Sequence, residues 1–364
     1  MRKAFILESP YIKRNLFVYE AYNNGKYTIA EKQQMFPHLF NSLSVVIPVL
    51  SSTFASVGRF LKHAGNMSLG MLIIDESGQA VPQSALGAIY RTRRAVVVGD
   101  PLQVEPVVTI PKVLIDILAD STCVANAYKV IENSVQTFSD NINEFNGMIG
   151  ERQVGCPLVV HRRCIEPMFS ISNLISYDNR MFNKTNKKEE YLKPENLFLI
   201  KKSGWINVEG EENGGKDHFV KNQAERVCQL MEDAVHIYSD LFETDDKIFI
   251  ITPFRTVAES MRKFIISYFS VKGYDKQILS KWTKNCVGTV HTFQGKDANE
   301  VLLVLGCSNK SAGAMNWVVK KANILNVACT RAKYRIAFIG NINDWKNRRY
   351  FREFIPSFID IINV

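Results

Sequence analysis

Several things are missing from this 364-residue sequence, and each absence narrows the reading. No uncharged apolar stretch reaches the roughly 18 residues that a membrane-spanning helix needs, so no membrane partner is expected. The start, Met1-Arg2-Lys3-Ala4-Phe5-Ile6-Leu7-Glu8, is basic and briefly apolar. It is interrupted by Glu8 and Pro10 and has no small-residue cleavage site, so it does not read as a signal peptide. The seven cysteines (123, 156, 164, 228, 286, 307 and 329) include no C-x-x-C pair, and their number is odd. That speaks against a disulfide framework and against a zinc site, and for reduced thiols in a cytoplasmic chain. No solenoid-type repeat is present.

Ordinary globular material fills the rest. Hydrophobic residues make up 46% and charged residues 22%, a balance that excludes disorder as the default state. At roughly 100–200 residues per domain, the length allows two or three domains. The formal net charge is +9, with local runs at 91–94, 184–188 and 348–349. Any single run is an ordinary solvated basic surface. The excess as a whole is compatible with a polyanionic partner without identifying one.

Apolar, β-branched segments at Ser44–Val49, Met71–Ile74, Arg94–Val98, Lys247–Thr252, Glu300–Leu305 and Arg335–Ile339 read as buried strands. Helical stretches such as Ala224–Tyr238 and Thr256–Tyr268 separate them, which predicts α/β domains with parallel sheets. Glu132–Glu151 reads as a surface segment, and Lys184–Glu195 and Glu209–Lys216 as loops. The domain boundary is expected near residue 150.

Polar residues follow two of the first-half strands directly, where α/β sheets place ligands. After Ile74 come Asp75-Glu76-Ser77-Gly78-Gln79-Ala80. One carboxylate of such a pair can orient Mg2+ and its waters, and the next can deprotonate an attacking water. Gln79 shares the helical face of Glu76, where its amide can donate and accept hydrogen bonds and so touch a terminal phosphate or the attacking water. Alone, the pair is equally a helix start, where acidic residues are favoured. After Val98 come Gly99-Asp100-Pro101-Leu102-Gln103-Val104-Glu105-Pro106, in which Asp100 and Gln103 can sense a phosphate or water; alone, this is an ordinary Gly-Asp-Pro turn.

In this order the two boxes resemble motifs II and III of superfamily-1 helicases, in the branch of the nonsense-decay helicases. The resemblance continues, in family order, over roughly residues 40–345. Val160-His161-Arg162-Arg163-Cys164 is similar to the first motif of the second RecA-like domain, which implies that Arg163 reaches the triphosphate. Arg162 stands where many relatives carry a tyrosine that stacks on adenine, and a guanidinium can also stack on a base; alone, the stretch also reads as a basic patch at a helix start. Gly288–Asp297 resembles motif V, with Gly295 allowing close backbone approach, Thr289 and Thr292 suited to nucleic-acid phosphates, and Asp297 where many relatives carry Glu. His291 within it is equally a packed or solvated histidine. Asn326–Lys333 resembles motif VI and makes Arg331 the arginine finger. Upstream, Ile47–Val57 resembles a strand-contacting motif through Ser52 and Thr53, which serve equally as a helix N-cap.

The phosphate loop G-x-x-x-x-G-K-[ST] does not occur. Asn24-Gly25-Lys26-Tyr27 and Gly214-Gly215-Lys216-Asp217 lack the hydroxyl, and Gly295-Lys296 belongs to motif V. The expected organisation is therefore a partial first RecA-like domain (1–149), a second one (150–350) and a C-terminal tail (351–364). The first domain should lack a central strand and expose strand edges. The resemblance implies ATP with Mg2+ bound through Asp75, single-stranded DNA or RNA as partner, and a separate polypeptide as one possible source of the phosphate loop. The expected function is an ATP-dependent helicase, truncated or split. The alternatives are a non-catalytic single-strand-binding module and a general ATPase unconnected to nucleic acid.

Overall fold

The computed structural model describes residues 2–125, 128–129, 131, 133–149, 152–185, 198–214 and 216–362. The chain divides into two compact units: residues 1–101 with 105–144, and residues 102–104 with 145–364. Each is described by itself.

The first unit begins with helices Arg2–Glu8, Pro10–Asn23 and Ile29–Val46. Thr28 and Glu31 close a capping box at the start of the third. That helix runs through the first half of Ser44–Val49, and the residues after Val46 form no strand, so the strand expected there does not form. Periodicity alone cannot separate a short apolar run from a buried helix turn. Here the capping box, and burial of Phe36, Leu39 and Ser42 at helical spacing, decide for the helix. Tyr22, Phe36, Leu39, Leu61 and Ala64 form one small core.

Two strands follow, β1 (Leu72–Ile74) and β2 (Ala95–Val97), paired in parallel with Ile74 opposite Val97. Ile74, Ala85 and Val135 cover one face. On the other face Ile73 and Val96 stay exposed, at 66% and 45%. The sequence read both segments as buried strands; only one face of the pair is covered, so half of each strand is not buried. Within Glu132–Glu151, both named ends lie outside the described residues. Between them, Val135–Ile142 is a helix that buries Val135, Gln136 and Asp140, so the segment is not all surface.

The second unit opens with short pairs: β3 (Gly147–Ile149) with β4 (Arg152–Val154), and β5 (Val160–His161) with β6 (Phe182–Asn183). The loop expected at Lys184–Glu195 lies outside the described residues from position 186 onward. The strands β7 (Gly204–Asn207), β10 (Ile248–Thr252), β11 (Val287–Thr289), β12 (Ala298–Val304), β13 (Ala332–Gly340) and β14 (Asp360–Ile362) make a six-stranded, fully parallel sheet of the α/β class. Its order is β11-β10-β12-β13-β7-β14. All five residues of β10 are buried, as a central strand covered on both faces requires. Helix Arg255–Val271 buries Val257, Ala258, Met261, Ile265 and Phe269, one stripe at helical spacing.

Trp205 of β7 stacks on Phe338 of β13 at 5.7 Å, and its indole N–H donates to the Gly340 carbonyl at 2.8 Å. Residues 351–364 are not a tail as far as they are described. Phe351 and Phe354 are fully buried, and β14 adds a strand beside β7. Glu209–Lys216 is likewise more than a loop, because β8 (Glu212–Gly214) pairs antiparallel with β9 (Asp217–Val220).

Candidate nucleotide and nucleic-acid site

The Asp-Glu box leaves the carboxyl end of β1, and the Gly-Asp-Pro box leaves the carboxyl end of the adjacent β2. Parallel pairing puts both exits on the same edge. Asp75 is exposed, and its Oδ1 accepts the Glu76 amide at 2.9 Å. Glu76 adopts a left-handed conformation (φ 53°) and leads into the one-turn helix Ser77–Gln79. Gln79 Nε2 donates to Glu76 Oε2 at 2.8 Å, so the two polar groups paired from their spacing do meet. A bulky residue at positive φ is uncommon and is tolerated where the surroundings fix it.

What fixes it is the second box. A Cβ on Gly99 would lie 2.5 Å from Ser77 Oγ and 2.7 Å from the Gly78 amide nitrogen. A Cβ on Gly78 would lie 2.7 Å from the Asp100 carbonyl oxygen. The two loops therefore touch backbone to backbone. The buried Ser77 hydroxyl donates to Gln136 Oε1 at 2.6 Å, and Gln136 Nε2 donates to Asp140 at 2.8 Å. Sequence reading missed this brace, since Gln136 carries no motif and lies in a stretch taken as surface. Asp100 is half-buried. Ser52 and Thr53 are exposed just before helix Phe54–Phe60. Thr53 stands at the N-cap position, but its hydroxyl makes no capping bond to the helix backbone and lies 3.3 Å from Ser56 Oγ.

In the second unit, Arg162 and Arg163 follow β5. His161 shapes the turn that carries them: its Nε2 accepts the Cys164 amide at 2.9 Å. Burial, reinforced by the Arg163 charge, pushes the imidazole down to about 4, so it stays neutral and can accept. Arg162 is exposed and Arg163 half-buried.

Motifs V and VI are brought together. Arg331, at the end of helix Asn323–Arg331, is fully buried. Its Nη1 donates to the Phe293 and Lys296 carbonyl oxygens at 3.2 and 3.1 Å. Asp297 pairs with Lys333 at 2.7 Å. Arg331 thus holds the turn at Phe293–Lys296 in this conformation. Gly295 stands in that turn at φ 71° with nothing near its Cβ position, which leaves room for a backbone to approach. Thr289 is half-buried and Thr292 exposed.

Two further residues escaped the sequence reading. Asn326 is fully buried; its Nδ2 donates to the Leu102 carbonyl and the Tyr177 hydroxyl, both at 3.0 Å, and its Oδ1 accepts from Ser172. Leu102, in the Gly-Asp-Pro box, neighbours the half-buried Gln103. Glu300, on β12, is fully buried and accepts from the Leu199 and Ile200 amides (2.9 and 2.6 Å) and the Tyr238 hydroxyl (2.7 Å). Burial pushes its carboxyl up to about 7 despite these donors. A lone Glu within an apolar strand gives no sequence sign of such partners.

The sequence profile of an AAA-domain family matches residues 144–343, and that of a second AAA-domain family matches residues 17–110. The chain belongs to the superfamily-1 helicases, in the branch of senataxin and the nonsense-transcript regulators. It is 22% identical to the probable helicase senataxin of Mus musculus over 328 residues, 87% of this chain and 11% of that protein. It is 24% identical to an uncharacterized ATP-dependent helicase of Methanocaldococcus jannaschii, over 78% of this chain and 38% of the relative. It is 25% identical to the Arabidopsis thaliana regulator of nonsense transcripts 1 homolog, over 78% and 21%. This helicase-family chain therefore spans between 11% and 38% of the length of these relatives. Among the described residues, no helix is long and apolar enough to cross a membrane.

Proposed function

We propose that the chain carries the metal-and-water side of an ATP-driven motor that moves on single-stranded DNA or RNA. The observation that carries the reading is the backbone contact between the two loops at the carboxyl ends of β1 and β2, with Glu76 hydrogen-bonded to Gln79.

The residues present fit a magnesium nucleotide on that side. Asp75 offers an exposed carboxylate at a strand end, the oxygen-only donor chemistry that Mg2+ takes. Bound there, Mg2+ neutralises charge on the phosphates. Glu76 takes the proton of the attacking water. Gln79 orients Glu76, and Asp100 and Gln103 report the state of the phosphate. Arg162 stacks on the base. Arg163 and Arg331 supply positive charge to the phosphoryl group, which requires Arg331 to exchange its carbonyl partners for phosphate. Gly295 and Asp297 shape the adjoining turn, and Ser52, Thr53, Thr289 and Thr292 bind the strand's backbone phosphates.

None of the 364 residues supplies the G-x-x-x-x-G-K-[ST] cradle. Full activity therefore calls for that loop from a contiguous segment or from a separate polypeptide. The test is ATP hydrolysis in the presence of single-stranded nucleic acid. The chain alone should run far below an ordinary helicase rate. Activity restored by adding a loop-bearing polypeptide should fall roughly 100- to 10,000-fold in Glu76→Gln. Restored activity that ignores Glu76→Gln overturns the assignment. Nucleic-acid binding with no hydrolysis under either condition favours a non-catalytic module.

A further inference from the structure

Three side chains outside the nucleotide machinery meet beside the six-stranded sheet. Glu212 comes from β8, His218 from β9, and Cys307 from the loop beyond the carboxyl end of β12. Their donor atoms all lie within 4.8 Å of one another. His218 Nδ1 is 2.9 Å from Glu212 Oε2. The group is enclosed: the Glu212 side chain is 3% exposed, that of His218 17%, and Cys307 2%.

The backbone goes out of its way to deliver the thiol. Gly306 and Cys307 both sit at left-handed φ, 60° and 58°. The Cys307 amide donates to the His218 carbonyl at 2.9 Å, and the Gly306 amide to Gln223 Oε1 at 2.9 Å. A non-glycine residue in that region persists when its surroundings over-determine it, and such residues cluster at functional sites. A second layer holds the carboxylate, with Ser308 Oγ donating to Glu212 Oε1 at 3.2 Å. Phe254 packs on the imidazole with ring centres 4.7 Å apart.

We propose that Glu212, His218 and Cys307 form a binding site for one divalent transition-metal ion, Zn2+ in the first place. One carboxylate oxygen, one imidazole nitrogen and one sulfur form a mixed donor set of the kind Zn2+ takes, whereas Mg2+ and Ca2+ prefer all-oxygen shells. Two anionic ligands neutralise the ion, so an enclosed site carries no net charge. Metal entry forms the metal–sulfur bond and releases the Cys307 thiol proton to solvent. The ion takes the place of the direct contact between His218 Nδ1 and Glu212 Oε2, and the ring proton then sits on the nitrogen turned away from the ion. The bound ion ties the β8–β9 hairpin to the loop leaving β12. Cysteine spacing argued against a zinc site, and it could not have revealed this one, because the three ligands come from separate elements and include one thiol.

Cobalt is the probe. Metal-free full-length chain titrated with Co2+ should develop a near-ultraviolet thiolate-to-cobalt charge-transfer band that saturates at one equivalent and is displaced by Zn2+. Cys307→Ser should abolish the band, and His218→Gln or Glu212→Gln should weaken binding at least tenfold. The double variant Cys123→Ser/Cys156→Ser, which removes the exposed thiols, should leave the band unchanged. No saturable band, or a band that survives Cys307→Ser and disappears in the double variant, overturns the site. If Cys307→Ser fails to fold by circular dichroism, His218→Gln decides: affinity unchanged from the parent chain overturns the proposal.

Discussion

Glu300→Gln should change how the stability of the chain responds to pH. Glu300 is fully buried in the sheet and faces three donors: the Leu199 and Ile200 amides and the Tyr238 hydroxyl. Burial pushes its carboxyl from the ordinary 4.5 up to about 7, so the folded state holds the proton more tightly than the unfolded chain does. Below pH 4.5 both states keep the proton and nothing depends on it. Between 4.5 and about 7 the unfolded chain gives up its proton first, so stability falls as the pH rises. Above that window the loss is complete, at roughly 3 kcal/mol, since each tenfold difference in proton affinity is worth about 1.4 kcal/mol. Glutamine keeps the shape and never ionises, so it removes the slope. The amide also turns one acceptor oxygen into a donor facing a backbone N–H, which costs about 1–3 kcal/mol at every pH. The variant should therefore start below the parent chain near pH 5 and gain on it by roughly 2–3 kcal/mol by pH 8. At about 2–4 °C per kcal/mol for a unit of this size, thermal melts should show a relative shift of roughly 4–12 °C. Melting curves that stay parallel from pH 5 to 8 would refute the reasoning.

Two further outcomes follow from packing. Gly99→Ala pushes a methyl group against Ser77 and the Gly78 amide and should lower the denaturant midpoint by about 1–3 kcal/mol equivalent. Gly65→Ala, whose Cβ meets nothing within 4 Å, should stay within about 0.5 kcal/mol of the parent; equal effects would mean that the two loops do not touch. Arg331→Ala removes the guanidinium that Phe293 and Lys296 share. Amide hydrogen exchange over residues 290–296 should speed up, with a loss of roughly 2–4 kcal/mol; unchanged exchange there would remove Arg331 from its place beneath the motif V turn.

Local chemistry made much of this chain legible from sequence alone. A carboxylate pair after an apolar strand, a Gly-Asp-Pro turn after the next, and arginines in family order depend on neighbours in the chain, so the motif order and the α/β class could be read directly. The strands at residues 71–74, 94–98 and 247–252 were legible for the same reason, as short apolar runs with polar exits. Other features depend on distant partners. Ser44–Val49 looked like a strand, but the helix anchored by Thr28 and Glu31 carries on through Val46. Residues 351–364 looked peripheral until Phe351 and Phe354 found the Trp205 face of the sheet. Glu300, Asn326 and Gln136 owe their roles to donors and acceptors far off in sequence. The glycines of the opening boxes show the division best. Sequence established that Gly78 and Gly99 stand beside Asp75, Glu76 and Asp100. Tertiary structure decided that the two loops touch through those glycines, because parallel pairing of β1 with β2 brings their exits together and leaves no room for a side chain.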